Sequence, residues 1–152
     1  MPEQDIQEEH SDAGDHAELR DALTRLTADF ENLRKDAQRM RHDARRFGIA
    51  EAVRAMAAAY DTLRFAEPHV SGHSPSLREG IEKIADQFAQ GLKTLGVTRI
   101  PVEGSYDPKF HEAMEHISGV EAHTVAEEVG TGWMWQDNGE VIVPAKVKVG
   151  AG

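Results

Sequence analysis

From Leu19 onward the apolar positions fall at Leu19, Leu23, Leu26, Phe30, Leu33, Ala37, Met40, Ala44 and Phe47, in alternating steps of four and three. This is the seven-residue repeat of a coiled-coil seam. Such a stripe is too narrow to bury one helix in a globular core, but it suits pairing along a second helix. No proline other than Pro2 precedes Pro68, so the pattern predicts one continuous helix from about residue 17 to about residue 66. At 1.5 Å per residue that helix would be roughly 75 Å long, more than this chain can cover by itself. A second copy is expected to supply the other face. After Phe47 the next set, Ile49, Val53, Met56, Tyr60 and Leu63, is displaced by two positions, with Gly48 at the break. The shift predicts a stutter. Glycine inside a helix costs about 1 kcal/mol relative to alanine, which makes this a weak point where fraying could begin.

Pro68 to Pro75, with Gly72, reads as a loop. Ser74 before Pro75, or Ser76 with Glu79, then supplies helix-start chemistry. The second helix carries Leu77, Ile81, Ile84, Phe88, Leu92 and Leu95, and Gly96 stands where a left-handed cap is wanted. Two such helices from two chains would make a four-helix bundle, with Leu19, Leu23, Leu26, Phe30, Leu33, Met40, Phe47, Ile81, Ile84 and Phe88 as the dimerisation residues. Beyond Gly96 the punctuation becomes dense: Pro101, Gly104, Pro108, Gly119, Gly130, Gly132, Gly139 and Pro144. The runs Thr124 to Val129 and Glu140 to Val149 read as strands, with Asp137-Asn138-Gly139 as a hairpin turn before the second. The expected fold is α+β, in four segments: an acidic disordered tail (1–18), a long dimerising helix (19–67), a loop and second helix (68–96), and a small β domain (97–152).

Composition changes this picture little. Only 6% of the 152 residues are aromatic and 29% are charged, thin material for a monomeric core but ordinary for helices paired between chains. The net charge of −10 is uneven, because residues 1–18 hold seven acids (Glu3, Asp5, Glu8, Glu9, Asp12, Asp15, Glu18) and no Lys or Arg. That argues against a transit peptide and against non-specific nucleic-acid binding, which needs clustered cations. No apolar run approaches the ~20 residues that span a bilayer, so a cytoplasmic protein is expected. The absence of cysteine removes disulfides, thiolate nucleophiles and cysteine-ligated metals.

Candidate chemistry is sparse. His111, Glu112 and His116 resemble a zinc-hydrolase helix, but such a helix needs its histidines four residues apart, and a step of five turns them ~140° away from each other. No metal, no cofactor and no catalytic residue is assigned. Gly130-Thr131-Gly132 lacks the context of a nucleotide loop, so direct nucleotide binding is not expected. Arg34, Lys35, Arg39, Arg41, Arg45 and Arg46 form a basic stretch, either a solvated helix face or a surface for an acidic partner. Trp133 and Trp135 share one face of a strand, as core or as partner anchors.

The segment Ala28-Asp29-Phe30-Glu31-Asn32-Leu33-Arg34-Lys35 resembles the signature of GrpE proteins. Later pieces match that family in order: Gly80-Ile81-Glu82, Leu95-Gly96-Val97, Tyr106-Asp107-Pro108, His111-Glu112-Ala113, Thr124-Val125 with Glu128, Gly132-Trp133 and Pro144-Ala145-Lys146-Val147. The resemblance implies a parallel homodimer that binds the nucleotide-binding domain of a DnaK-type chaperone, opens its cleft and speeds ADP release, with no chemistry of its own. It places the chaperone contacts on Glu31, Asn32, Arg34 and Lys35, on Leu95 and Gly96, and around Val125, Glu128, Trp133, Pro144 and Val147. It also implies a long helix that melts on heating. Against the family's usual pattern, Trp133 stands for Tyr, Ala58 for Pro, and Glu140 and Val143 for Arg, which implies either a divergent factor tuned to one particular chaperone or charge contacts moved to Lys146 and Lys148. The competing reading is a coiled-coil scaffold or adaptor without exchange activity.

Overall fold

A computed structural model describes residues 5–66 and 75–152, with side chains from Gly14 onward. The elements in chain order are α1 (Asp5–Arg64), α2 (Pro75–Thr94), β1 (Val97–Arg99), β2 (His111–Ile117), β3 (Val125–Gly130), β4 (Trp133–Trp135), β5 (Val141–Val143) and β6 (Ala145–Gly150). The expected long helix, second helix and small C-terminal β region are all present. Of the loop expected from Pro68 to Pro75, residues 68–74 lie outside the described residues, as do residues 1–4 of the acidic segment; residues 5–18 of that segment, expected as a disordered tail, belong to α1. Residues 1–46 and 47–152 form two units.

In the first unit every side chain from Gly14 to Arg45 is exposed. The seam residues are no exception: Leu26, Phe30 and Leu33 are 65–66% exposed, and Met40 is 70% exposed. A helix holding Leu, Phe and Met side chains in water along a heptad stripe has the pattern of a coiled-coil strand.

The second unit has two apolar cores. In the first, the C-terminal part of α1 buries Ala50, Val53 and Tyr60, with Ala57 half-buried between them, so the steps of three and four continue on a face displaced from the seam. Met56, on the shifted repeat expected from the sequence, is 44% exposed instead. α2 contributes Ala85, with Phe88, Ala89 and Leu92 packed alongside, and turns Leu77 and Ile84 outward. Its exposed side is tied by Glu79 to Lys83 (2.7 Å) and Arg78 to Glu82 (3.3 Å), pairs one helical turn apart that contribute a few tenths of a kcal/mol each. The helix ends as expected: Gly96 takes φ +82° and its N–H donates to the Lys93 carbonyl at 3.0 Å. A side chain there would meet open space, so the requirement for glycine is conformational rather than steric.

The strands form two three-stranded sheets, ordered β1-β4-β5 and β2-β6-β3. The first is antiparallel and supplies Val97, Trp133, Trp135 and Ile142 to the helical core. In the second, β6 runs parallel to β2 and antiparallel to β3, and buries Ala145, Val147 and Val149 against Ile100, Tyr106, Phe110 and Val125.

The single strand expected over Glu140 to Val149 is broken at Pro144 into β5 and β6, which belong to different sheets. Proline has no N–H for a ladder. The buried face switches with the break, from Ile142 in β5 to Ala145, Val147 and Val149 in β6. The helical geometry used to weigh His111 and His116 also does not apply, because both lie on strand β2. His111 is buried between backbone groups, where Nδ1 accepts the Asp107 N–H (3.1 Å) and Nε2 donates to the Pro101 carbonyl (2.8 Å). Among the described residues no cluster of His, Asp and Glu could hold a metal ion. Among them, too, no helix is long and apolar enough to cross a membrane.

Candidate functional site

The residues expected to meet a partner divide into surface and support. Glu31, Asn32, Arg34 and Lys35 are exposed on α1, within a basic stretch of which only Arg46 is half-buried. Asp36 pairs with Arg39 at 3.2 Å, both side chains more than half exposed, so this pair contributes little energy. Leu95, 43% exposed, presents its side chain at the turn that Gly96 makes possible. Pro144 is exposed between β5 and β6.

Trp133 and Val147, in contrast, are 1% and 0% exposed. The Trp133 ring meets Tyr60 edge-on at 5.0 Å between centroids, and Tyr60 meets Phe88 at 5.3 Å. These side chains shape a surface from below and cannot themselves contact a partner. Burial pushes the Tyr60 phenol up, against the opposing pull of Arg99 and Arg64. Phe88, expected in the dimerisation set, packs on the chain's own core, and Ile81 lines a cleft of about 420 Å³ with Tyr60, Arg64, Arg78 and Arg99. Ile84, 52% exposed, remains on the outer face of α2.

Glu128 is also internal. Its side chain is 8% exposed and its Oε2 pairs with Arg64 at 2.6 Å, with Arg99 at 3.9 Å as a second cation. Arg64 also donates to the Thr131 hydroxyl (3.1 Å), and Asp61 Oδ1 accepts the Thr131 N–H (2.9 Å). Glycines make this corner tight: a Cβ at Gly132 would lie 2.5–2.7 Å from Ala145 backbone and side-chain atoms. On β6, Lys148 bonds Glu127 at 2.7 Å and faces Glu115 at 3.9 Å. The Glu127 hydrogen bond holds its ammonium above the ordinary lysine range. Lys146, opposite Glu112 in register, is exposed and has no ion pair among the described residues. Of the two lysines considered as replacements for the missing arginines, Lys146 is the one with its charge uncommitted.

A long helix with a bare heptad seam, a second helix capped by Leu95-Gly96 and a two-sheet β domain now stand together, and sequence comparison places them. The family described as GrpE matches residues 2–151. The chain belongs to the GrpE family. It is 37% identical to Protein GrpE of Thermus thermophilus over 134 residues, covering 87% of this chain and 73% of that protein. Protein GrpE of Brucella anthropi is 34% identical over 148 residues, 91% of this chain and 64% of the relative. Protein GrpE of Meiothermus ruber is 35% identical over 129 residues, 84% of this chain and 72% of the relative. The protein is therefore a GrpE-family co-chaperone.

Sequence reasoning missed the group formed by Asp61, Arg64, Arg99 and Thr131 around Glu128. The available signal was Asp61 and Arg64 flanking the buried Tyr60 stripe near the end of α1, where side chains meet the fold rather than solvent.

Proposed function

We propose that this GrpE-family protein is a dimeric nucleotide exchange factor that binds the nucleotide-binding domain of a DnaK-type chaperone and speeds ADP release. The observation that carries this reading is the family match across residues 2–151, joined to an apolar seam left bare along α1. Two chains pair through Leu19, Leu23, Leu26, Phe30, Leu33 and Met40. The pairing removes that surface from water, and Ile84 on the outer side of α2 is a further apolar group for a second chain to cover. Glu31, Asn32, Arg34, Lys35, Leu95 and Pro144 make the polar and apolar contacts with the chaperone. Trp133, Val147, Val125 and Glu128 hold the β-domain backbone that presents Pro144.

No group here hydrolyses or transfers anything in this reading. Acceleration comes from binding the open chaperone cleft more tightly than the closed, ADP-filled one, so nucleotide and exchange factor weaken each other's binding by the same factor. That reciprocity is directly testable. The protein should co-elute with nucleotide-free chaperone from the same organism, and ADP should dissociate the complex. A complex indifferent to ADP is what a coiled-coil adaptor would form, and it would end the exchange reading.

A further inference from the structure

Three residues near the C-terminal end of α1 grip one corner of the β domain. Tyr60 packs on Trp133, Asp61 takes the Thr131 N–H, and Arg64 bonds both the Thr131 hydroxyl and Glu128. The corner is Gly130-Thr131-Gly132, between β3 and β4, where Thr131 is 2% exposed and the Glu128 side chain 8%. The partners are 67 and 70 residues apart in sequence, so these bonds report tertiary placement and not local turn chemistry.

The apolar contact and the polar contacts differ in kind. Tyr60 against Trp133 buries area and tolerates sliding, because dispersion is non-directional. The polar contacts do not tolerate it. A buried ion pair adds little net stability over apolar groups of the same volume, yet any pose that separates the pair leaves a desolvated charge alone. Glu128 Oε1 and Arg99 Nε are already buried without a partner among the described residues, so parting Arg64 from Glu128 would add a further desolvated polar group to two that are already unmet.

We propose that Asp61 and Arg64, acting through Thr131 and Glu128, form a positioning latch that holds the β domain in one pose against the end of α1, the pose that is competent to engage the chaperone. This rests on the exchange-factor reading and adds its control point. Neither residue touches nucleotide, and the latch acts through the fraction of protein in the competent pose. If opening the latch lowers that fraction to about a tenth, the apparent affinity for chaperone falls about tenfold, while the rate within the assembled complex is unchanged.

The test uses the full chain, whose lack of cysteine allows nitroxide labels at two introduced sites, Ala55→Cys and Ala126→Cys, both at exposed positions. Labelled protein is diluted with unlabelled protein so that each dimer carries one labelled chain. The expected result is a narrow inter-label distance in the parent and in Asp61→Asn, which keeps the acceptor oxygen, and a broadened one in Asp61→Ala and Arg64→Met. In ADP-release titrations the broadened variants should need about ten times more protein for half-maximal acceleration and reach the same plateau. Asp61→Ala leaves the Arg64–Glu128 pair intact, so it remains informative if Arg64→Met fails to fold. Unbroadened distances in Asp61→Ala, or a lowered plateau at unchanged half-saturation, would overturn the latch. A parent protein that never accelerates ADP release would instead overturn the exchange reading, and the distances still decide whether the latch exists.

Discussion

The double variant Phe30→Asp/Leu33→Asp should sediment as a monomer at concentrations where the parent is a dimer. Both side chains are 66% exposed in the isolated chain and sit on adjacent heptad positions. Pairing would bury four of them per dimer, each contributing about 1.5–3 kcal/mol, and the substitution puts four carboxylates in their place. The combined loss exceeds several powers of ten in dissociation constant. Helix content should fall as well, because a long helix in water is stabilised mainly by what its apolar face packs against. Circular dichroism would read that loss at the same concentrations. A variant that stays dimeric with full helicity would show that the partner of this seam is something other than a second copy.

The second large effect is expected at Trp133, whose truncation to alanine should cost about 3–5 kcal/mol of unfolding free energy. Its ring is 1% exposed and links Tyr60 of α1 to the β1-β4-β5 sheet. The surrounding backbone is poorly placed to collapse into the void, since Gly132 already lies against Ala145. Trp135 survives in the variant as the only tryptophan and is itself 6% exposed, so its fluorescence follows the unfolding of this core. The midpoint in urea should fall with the slope nearly unchanged. A stability within about 1 kcal/mol of the parent would mean that Trp133 is not the centre of that core.

Much of this architecture was legible because it repeats. Seven-residue periodicity needs only local information, and it marked the seam and the C-terminal reach of α1 without reference to any other element, although the helix starts at Asp5, ahead of the first apolar seam position. Gly96 was equally legible, since a glycine directly after an apolar helical run meets the backbone requirement of a left-handed cap. The shifted repeat after Gly48 was read less well. Val53 and Tyr60 are buried as the pattern implied, but Ala57 takes the place of Met56 in the stripe and Ala50 joins it, because small residues mark close approach and leave only a faint hydrophobic signal. The run Glu140 to Val149 looked like one strand because alternation survives on both sides of Pro144. What alternation cannot show is that the two halves join different sheets. Trp133, Val147 and Glu128 were grouped with surface residues because motif matching ranks identity, not depth. The corner bonds at Thr131 were invisible for a further reason. A hydrogen bond spanning 70 residues has no local pattern, and a Thr between two glycines reads as a turn whether or not Asp61 waits beside it.

The central claim is that binding of this protein loosens nucleotide in a chaperone. Stopped-flow release of a fluorescent ADP analogue from the DnaK-type chaperone of the same organism tests it most directly, with the protein added over a concentration series. The release rate should climb with added protein and saturate. A rate that stays flat across the series, with the protein dimeric throughout, would contradict it.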